Sequence, residues 1–192
     1  MDTLPAFLAR HQQLHGIEMA YTLQPLSEAQ LRQRPHGRLN SIVWNLWHMA
    51  RSEDFGINRL VVDQGQLFYE DRWQLRLNIP YRHQGTGMIS TDVDDLSKRI
   101  NIEALLGYFQ AVGARTQSIV QALDCKRLQE TPAPDHLKHV VFDEGIFMRD
   151  CEQIMQYYQA RNKGWFLMHL GLTHNFQHYG EIVTLASLVS ST

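Results

Sequence analysis

The chain has 192 residues, of which 44% are hydrophobic and 20% charged, enough for one globular domain with a substantial core, expected to cover residues 1–192. Its formal net charge of −2 offers no basic field, so nucleic acid is not an expected partner. No apolar run approaches the length of a membrane span, the opening MDTLPAFLAR lacks a secretory-signal pattern, and Cys125 and Cys151 form no CxxC pair; a cytoplasmic protein with reduced thiols is expected.

In chain order, a first helix is expected from about Pro5 to Leu23, with Pro5 suited to a first turn. Ser27-x-x-Gln30 has the form of a capping box opening a short helical turn that Pro35 ends. A second long helix follows Asn40 or Ser41 and runs to about Asp63, with Ile42, Val43, Leu46, Ala50, Ile57 and Leu60 on one face. Residues 65–90, with Pro80, Gly85 and Gly87, read as an irregular connector of the kind that covers a site. A short turn near Asp92–Lys98 precedes a third helix from Asn101 to Leu123. The prolines of Thr131-Pro-Ala-Pro134 break the chain, a short helix is expected near Met148–Ala160, and a last helix runs from about Lys163 to Val189. Strand and hairpin signals are weak. The fold class is therefore all-α: a four-helix bundle with irregular connectors and short extra helices.

The most informative stretch is His174-Asn-Phe-Gln-His178. Two imidazoles four residues apart sit one turn above the other on a helix and can reach one metal ion. At 100° per residue, Leu167, Gly171, Ile182, Leu185 and Val189 fall within about 40° of His178. The pair thus lies on the apolar stripe, where polar groups need partners. A third donor is required. The best candidate is His48, in Trp44-Asn-Leu-Trp-His48, on the side of its helix that carries Trp44 and Phe55. A helix apolar on both sides is buried on both, which suits an aromatic-walled cleft.

Other histidines compete less well. His11-x-x-x-His15 with Glu18 repeats the spacing of His174, His178 and Glu181, but among polar neighbours. His15, His36 and His83 are expected to be solvated, His136 and His139 to lie in a loop, and His169 to face away from His178. Glu53 falls on its helix's apolar stripe and must be paired, with Arg51 or Arg99 as possible partners, or face the site. Asn45, one turn before His48, is placed to orient it or to contact a ligand. Glu181 is open to three readings: orienting a ligand imidazole, acting as a general base, or a plain surface carboxylate. HExxH, the Glu-x-x-His of di-iron bundles, GxGxxG, the P-loop and GxSxG are all absent.

The stretches WNLWHMARSED around His48 and KGWFLMHLGLTHNFQHYGEI around His174 and His178 resemble the DinB-like family. That resemblance implies a four-helix bundle with a divalent ion held by His48, His174 and His178, one from the second helix and two from the last. It also implies zinc or nickel as the ion, and an activity such as a hydrolase or a transferase using a low-molecular-weight thiol on a small-molecule substrate. Homodimers are common among such look-alikes, and Trp73 and Trp165, if exposed rather than covered by loops, would serve an interface. The alternatives are a non-catalytic metal- or ligand-binding module of the same fold and a relative that has lost activity.

Overall fold

The computed structural model describes residues 3–190. Among them there are ten helices and no strand. Four long helices carry the architecture. Helix α1 covers 3–23, an α segment Thr3–Gln13 and an α segment Met19–Leu23 joined by a π turn Leu14–Glu18. Helix α3 covers 42–62, with its α part Ile42–Phe55 and its π part Gly56–Val62. Helix α7 is Ile102–Ala122. Helix α10 covers 163–190, with a π turn His169–Thr173 between Lys163–Met168 and His174–Ser190.

The short helices are α2 (Glu28–Arg32), α4 (Leu67–Glu70), α5 (Trp73–Arg76), α6 (Ser90–Arg99), α8 (Pro134–Phe142) and α9 (Cys151–Tyr158). Local chemistry sets the starts. Ser27 and Gln30 form the expected capping box at α2. Ser41 caps α3 through the Trp44 N–H, Asn101 caps α7 through that of Ala104, and Asn162 caps α10 through that of Trp165. Asp63, in the left-handed region at φ 54°, ends α3.

Three segments are more helical than the sequence reading allows, one of them the connector 65–90, which carries α4 and α5. Asp92–Lys98, expected as a turn, is part of the ten-residue α6. The region of His136 and His139, expected as a loop, is α8: Pro134 sits in its first turn, where a missing N–H costs nothing. The proline starts a helix there instead of breaking one.

Helices α3 and α1 lie diagonally, each flanked by α7 and α10. Every residue from Ile42 to Phe55 is buried, as expected for a helix apolar on both sides. The core divides into two apolar clusters, one around Trp44, Trp47, Leu105 and Phe109, the other around Phe7, Phe55, Leu137 and Phe166. On α1, α3 and α10 a buried polar residue stands between them: His11, Glu53 and Asn175. The connector 65–90 is tied to α3 by Asp54. Its carboxylate accepts from the N–H groups of Leu67 and Phe68 at 2.9 Å each, from Tyr108 Oη at 2.6 Å and from Asn58 Nδ2 at 2.8 Å.

Candidate metal centre

His48, His174 and His178 meet where α3 packs on α10, each offering one nitrogen within 4.8 Å of the others. Ring centroids are 4.6–4.9 Å apart. Nε2 of His48 lies 3.1 Å from Nε2 of His174. Two nitrogens bound to one tetrahedral zinc at 2.0–2.1 Å would be about 3.3 Å apart, so the spacing is that of co-ligands.

Their neighbours fix the tautomers. Nδ1 of His48 faces the Gln84 carbonyl oxygen at 2.5 Å. A carbonyl only accepts, so Nδ1 carries the proton and Nε2 turns its lone pair to the centre. Nδ1 of His178 faces two acceptors, Asn45 Oδ1 at 3.1 Å and Glu181 Oε2 at 3.0 Å. Asn45 is itself oriented, because its Nδ2 donates to the Ser41 carbonyl oxygen at 3.1 Å. His178 therefore also donates from Nδ1 and leaves Nε2 free to ligate. His174 Nδ1 is buried without a partner.

Burial, then the His178 charge, pulls the His48 imidazole down to about 3. His174 is likewise held well below the ordinary range, by burial first and by its histidine neighbours second. Both rings are neutral at pH 7 and free for a cation. Glu181 is lowered, chiefly by its hydrogen bond with His178. The Trp44 ring stacks on His48 with centroids 4.8 Å apart, which walls one side with an aromatic face. A cleft of about 540 Å³ reaches Asn45 and Glu181, with Arg38, Gln177 and Thr184 on its walls.

The sequence resemblance is confirmed at this point. A family model described as the DinB superfamily matches residues 14–182. The chain belongs to the DinB superfamily. A solved structure of a conserved protein from Enterococcus faecalis is similar to it over 100% of this chain and 99% of that one, with a TM-score of 0.74 and 17% identity, a likeness in fold. No curated protein matches the chain. Within the superfamily fold, the three histidines of the sequence reading come from the expected helices.

Other expectations need correction. His15 is not solvated and His11 is not on a polar face: both are buried on Glu53, with His11 Nε2 2.7 Å and His15 Nε2 2.9 Å from its two carboxylate oxygens. Glu53 thus pairs with neither Arg51 nor Arg99. Arg51 lies 3.6 Å from Asp54, and Arg99 lies at the surface near Asp95. Glu18 bonds Arg10 and Gln13 and takes no part in the cluster. His169, expected to face away from His178, is half-exposed, and what the sequence reading missed is that its ring stacks on Trp165 at 4.4 Å and approaches His174 at 6.0 Å. A π turn holds one more residue than an α turn, so angles counted at 100° per residue slip across His169–Thr173. His83 is half-buried between Trp47 and Tyr81, and burial followed by the Arg51 charge lowers it to about 4. Trp73 is buried at 5% exposure, and Trp165 is partly covered by Tyr157 and Tyr158. His136 and His139 do not converge: one bonds the Arg59 carbonyl oxygen, the other Asp143.

Two contributors escaped the sequence reading. Gln84 acts through its backbone carbonyl, which no side-chain pattern announces. Asn175 donates to Glu53 Oε2 at 2.6 Å; a buried Asn between the two histidines was the available signal.

Proposed function

We propose that this chain is a metal-dependent enzyme acting on a small molecule, with one divalent ion of the zinc or nickel class held by His48, His174 and His178. The observation that carries this is the pair of fixed tautomers: acceptors behind His48 and His178 turn two Nε2 lone pairs toward one point. Three neutral imidazoles suit zinc or nickel better than calcium or magnesium. When bound, such an ion polarises a substrate oxygen and lowers the pKa of a water or thiol placed on it.

The chain's own residues do the rest. Gln84, Asn45 and Glu181 hold the imidazoles in their ligating tautomer. Glu181 acts as a positioning residue; a carboxylate held below its ordinary range by His178 is a weak base. Trp44 shields His48 from solvent on one face. The cleft beside Asn45 and Glu181 is within the size range of small-molecule sites, and Arg38 on its wall favours a substrate with an anionic group. The nucleophile is water in a hydrolase, or a low-molecular-weight thiol in a transferase.

Metal analysis of tag-free protein, paired with activity screens, tests this reading. Turnover of esters or amides with water alone assigns hydrolysis. Turnover of electrophiles only with added thiol assigns transfer. Metal below about 0.1 equivalent that zinc or nickel cannot raise would overturn the metal centre.

A further inference from the structure

The polar belt between the two core clusters holds a second convergent donor set. His11 and His15 of α1 and Glu53 of α3 each offer a ligand atom within 4.8 Å of the others. His11 and Glu53 have no exposed side-chain surface, and the His15 side chain is 6% exposed. The rings form a column, Phe7–His11–His15–Phe109, with successive centroids 5.4, 4.3 and 4.1 Å apart. Asn175 of α10 closes the set by donating to Glu53.

We propose that His11, His15 and Glu53 form a second divalent-metal site, separate from the three-histidine centre and selective for a borderline transition ion such as zinc, cobalt or ferrous iron.

Four observations carry it. Two imidazoles and a carboxylate are the donor set that such ions take with open positions to spare. The carboxylate supplies a negative charge that the three-histidine centre lacks. The donor atoms themselves converge: Nε2 of His11 and Nε2 of His15 lie 2.7 and 2.9 Å from the two oxygens of Glu53. There is also a way in, because a cavity of about 550 Å³ between α1 and α7 is lined by His15, Gly16, Met19 and Phe109. Finally, the π turn Leu14–Glu18 begins beside His15, as a second π turn directly precedes His174. Such turns interrupt regular helices most often at functional sites.

The two centres are distinct. His48 and Glu53 are five residues apart on α3, a rise of about 7.5 Å at 1.5 Å per residue. Ions bridged by one substrate oxygen sit about 3.5–4 Å apart. The second ion would join α1 to α3 across the bundle diagonal.

Anomalous diffraction separates this site from the first. Crystals of the whole chain, stripped of metal, soaked in cobalt or zinc chloride and back-washed, are expected to give a peak bounded by His11, His15 and Glu53. That peak supports the site whatever the three histidines hold. Data with no peak there, whether or not one appears at His48, overturn it and leave Glu53 as a hydrogen-bond acceptor for two imidazoles. In solution, zinc titration of metal-free protein is expected to find two equivalents, and Glu53→Gln one. Wild type saturating at one equivalent that His174→Ala abolishes also overturns the proposal. Should Glu53→Gln fail to fold, the wild-type peak and stoichiometry still decide.

Discussion

Glu181 Oε2 lies 3.0 Å from Nδ1 of His178, three residues earlier on α10, and shares that nitrogen with Asn45 Oδ1. One acceptor comes from the histidine's own helix and the other from α3, so the His178 ring is gripped from both sides of the packing interface. The Glu181 side chain is 44% exposed, and Glu181→Gln therefore has little to destabilise. We expect it to weaken metal binding about 10- to 100-fold, the usual loss when a ligand's orienting partner goes. Competition with a chromophoric chelator measures this. Unchanged affinity in both Glu181→Gln and Asn45→Ala would leave the tautomer argument without support.

His174→Ala removes one of the three proposed ligands. Its expected effect is larger, with zinc at the three-histidine centre falling below about a tenth of an equivalent. An ion still seated on His48 and His178 at full occupancy in a crystal of this variant would sink the triad assignment.

Low pH is expected to destabilise the metal-free protein in a defined window. An unfolded histidine titrates near 6.5, whereas burial and His178 hold His48 down to about 3 in the fold. Between those values the unfolded chain binds the proton and the folded chain does not. This part of the stability is complete above about pH 6.5 and is lost as pH falls toward about 3. Glu53 acts in the same direction at lower pH. Burial pushes its carboxyl up, but the charges and hydrogen bonds of His15 and His11 together outweigh that and hold it below its ordinary 4.5. Urea midpoints of chelator-treated protein should fall steadily from about pH 7 to pH 5; a flat profile there contradicts the neutral burial of His48.

The convergence of His48, His174 and His178 was legible because helical spacing and apolar flanks are local properties. His174 and His178 share a stripe by arithmetic, and Trp44, Leu46 and Trp47 mark the helix around His48 as buried. The second cluster was misread for a physical reason. Gln12, Gln13 and Glu18 make the neighbourhood of His11 and His15 look wet, but they occupy the other face of α1; Glu18 and Gln13 bond each other at the surface. Glu53 was recognised as needing a partner, yet that partner lies on a helix diagonal to its own and 38–42 residues earlier. Pairings at that range depend on topology, and the π turns shift the angular register on which any projection relies.

Asp54 is expected to be the anchor of the connector. It has no exposed side-chain surface, neighbours the Arg51 guanidinium at 3.6 Å and satisfies the Leu67 and Phe68 amides. Asp54→Ala takes the only nearby carboxylate among the described residues from the buried Arg51 guanidinium and strands two buried N–H groups, a loss of about 3–5 kcal/mol. Denaturant unfolding gives the total. Hydrogen exchange gives the location: the Leu67 and Phe68 amides should lose protection before those of α7. Loss spread evenly over the bundle would argue against a local anchor.

Gly113 of α7 faces the His15 ring so closely that an added methyl group would collide with its Nδ1 edge. The His15 ring is held between two others, with His11 stacked on one face and Phe109 on the other. Gly113→Ala gains helix propensity of about 0.8–1 kcal/mol in an ordinary helix interior, but overpacking a filled core costs about 1–3 kcal/mol. The clash is expected to win, lowering the melting temperature and driving His15 away from Glu53. Gly180, on the outer side of α10 with open space around it, serves as the control, and Gly180→Ala should be neutral or stabilising. A melting temperature raised equally by both substitutions would show that the His15 column yields easily, and would weaken the case that α7 holds the buried histidines in place.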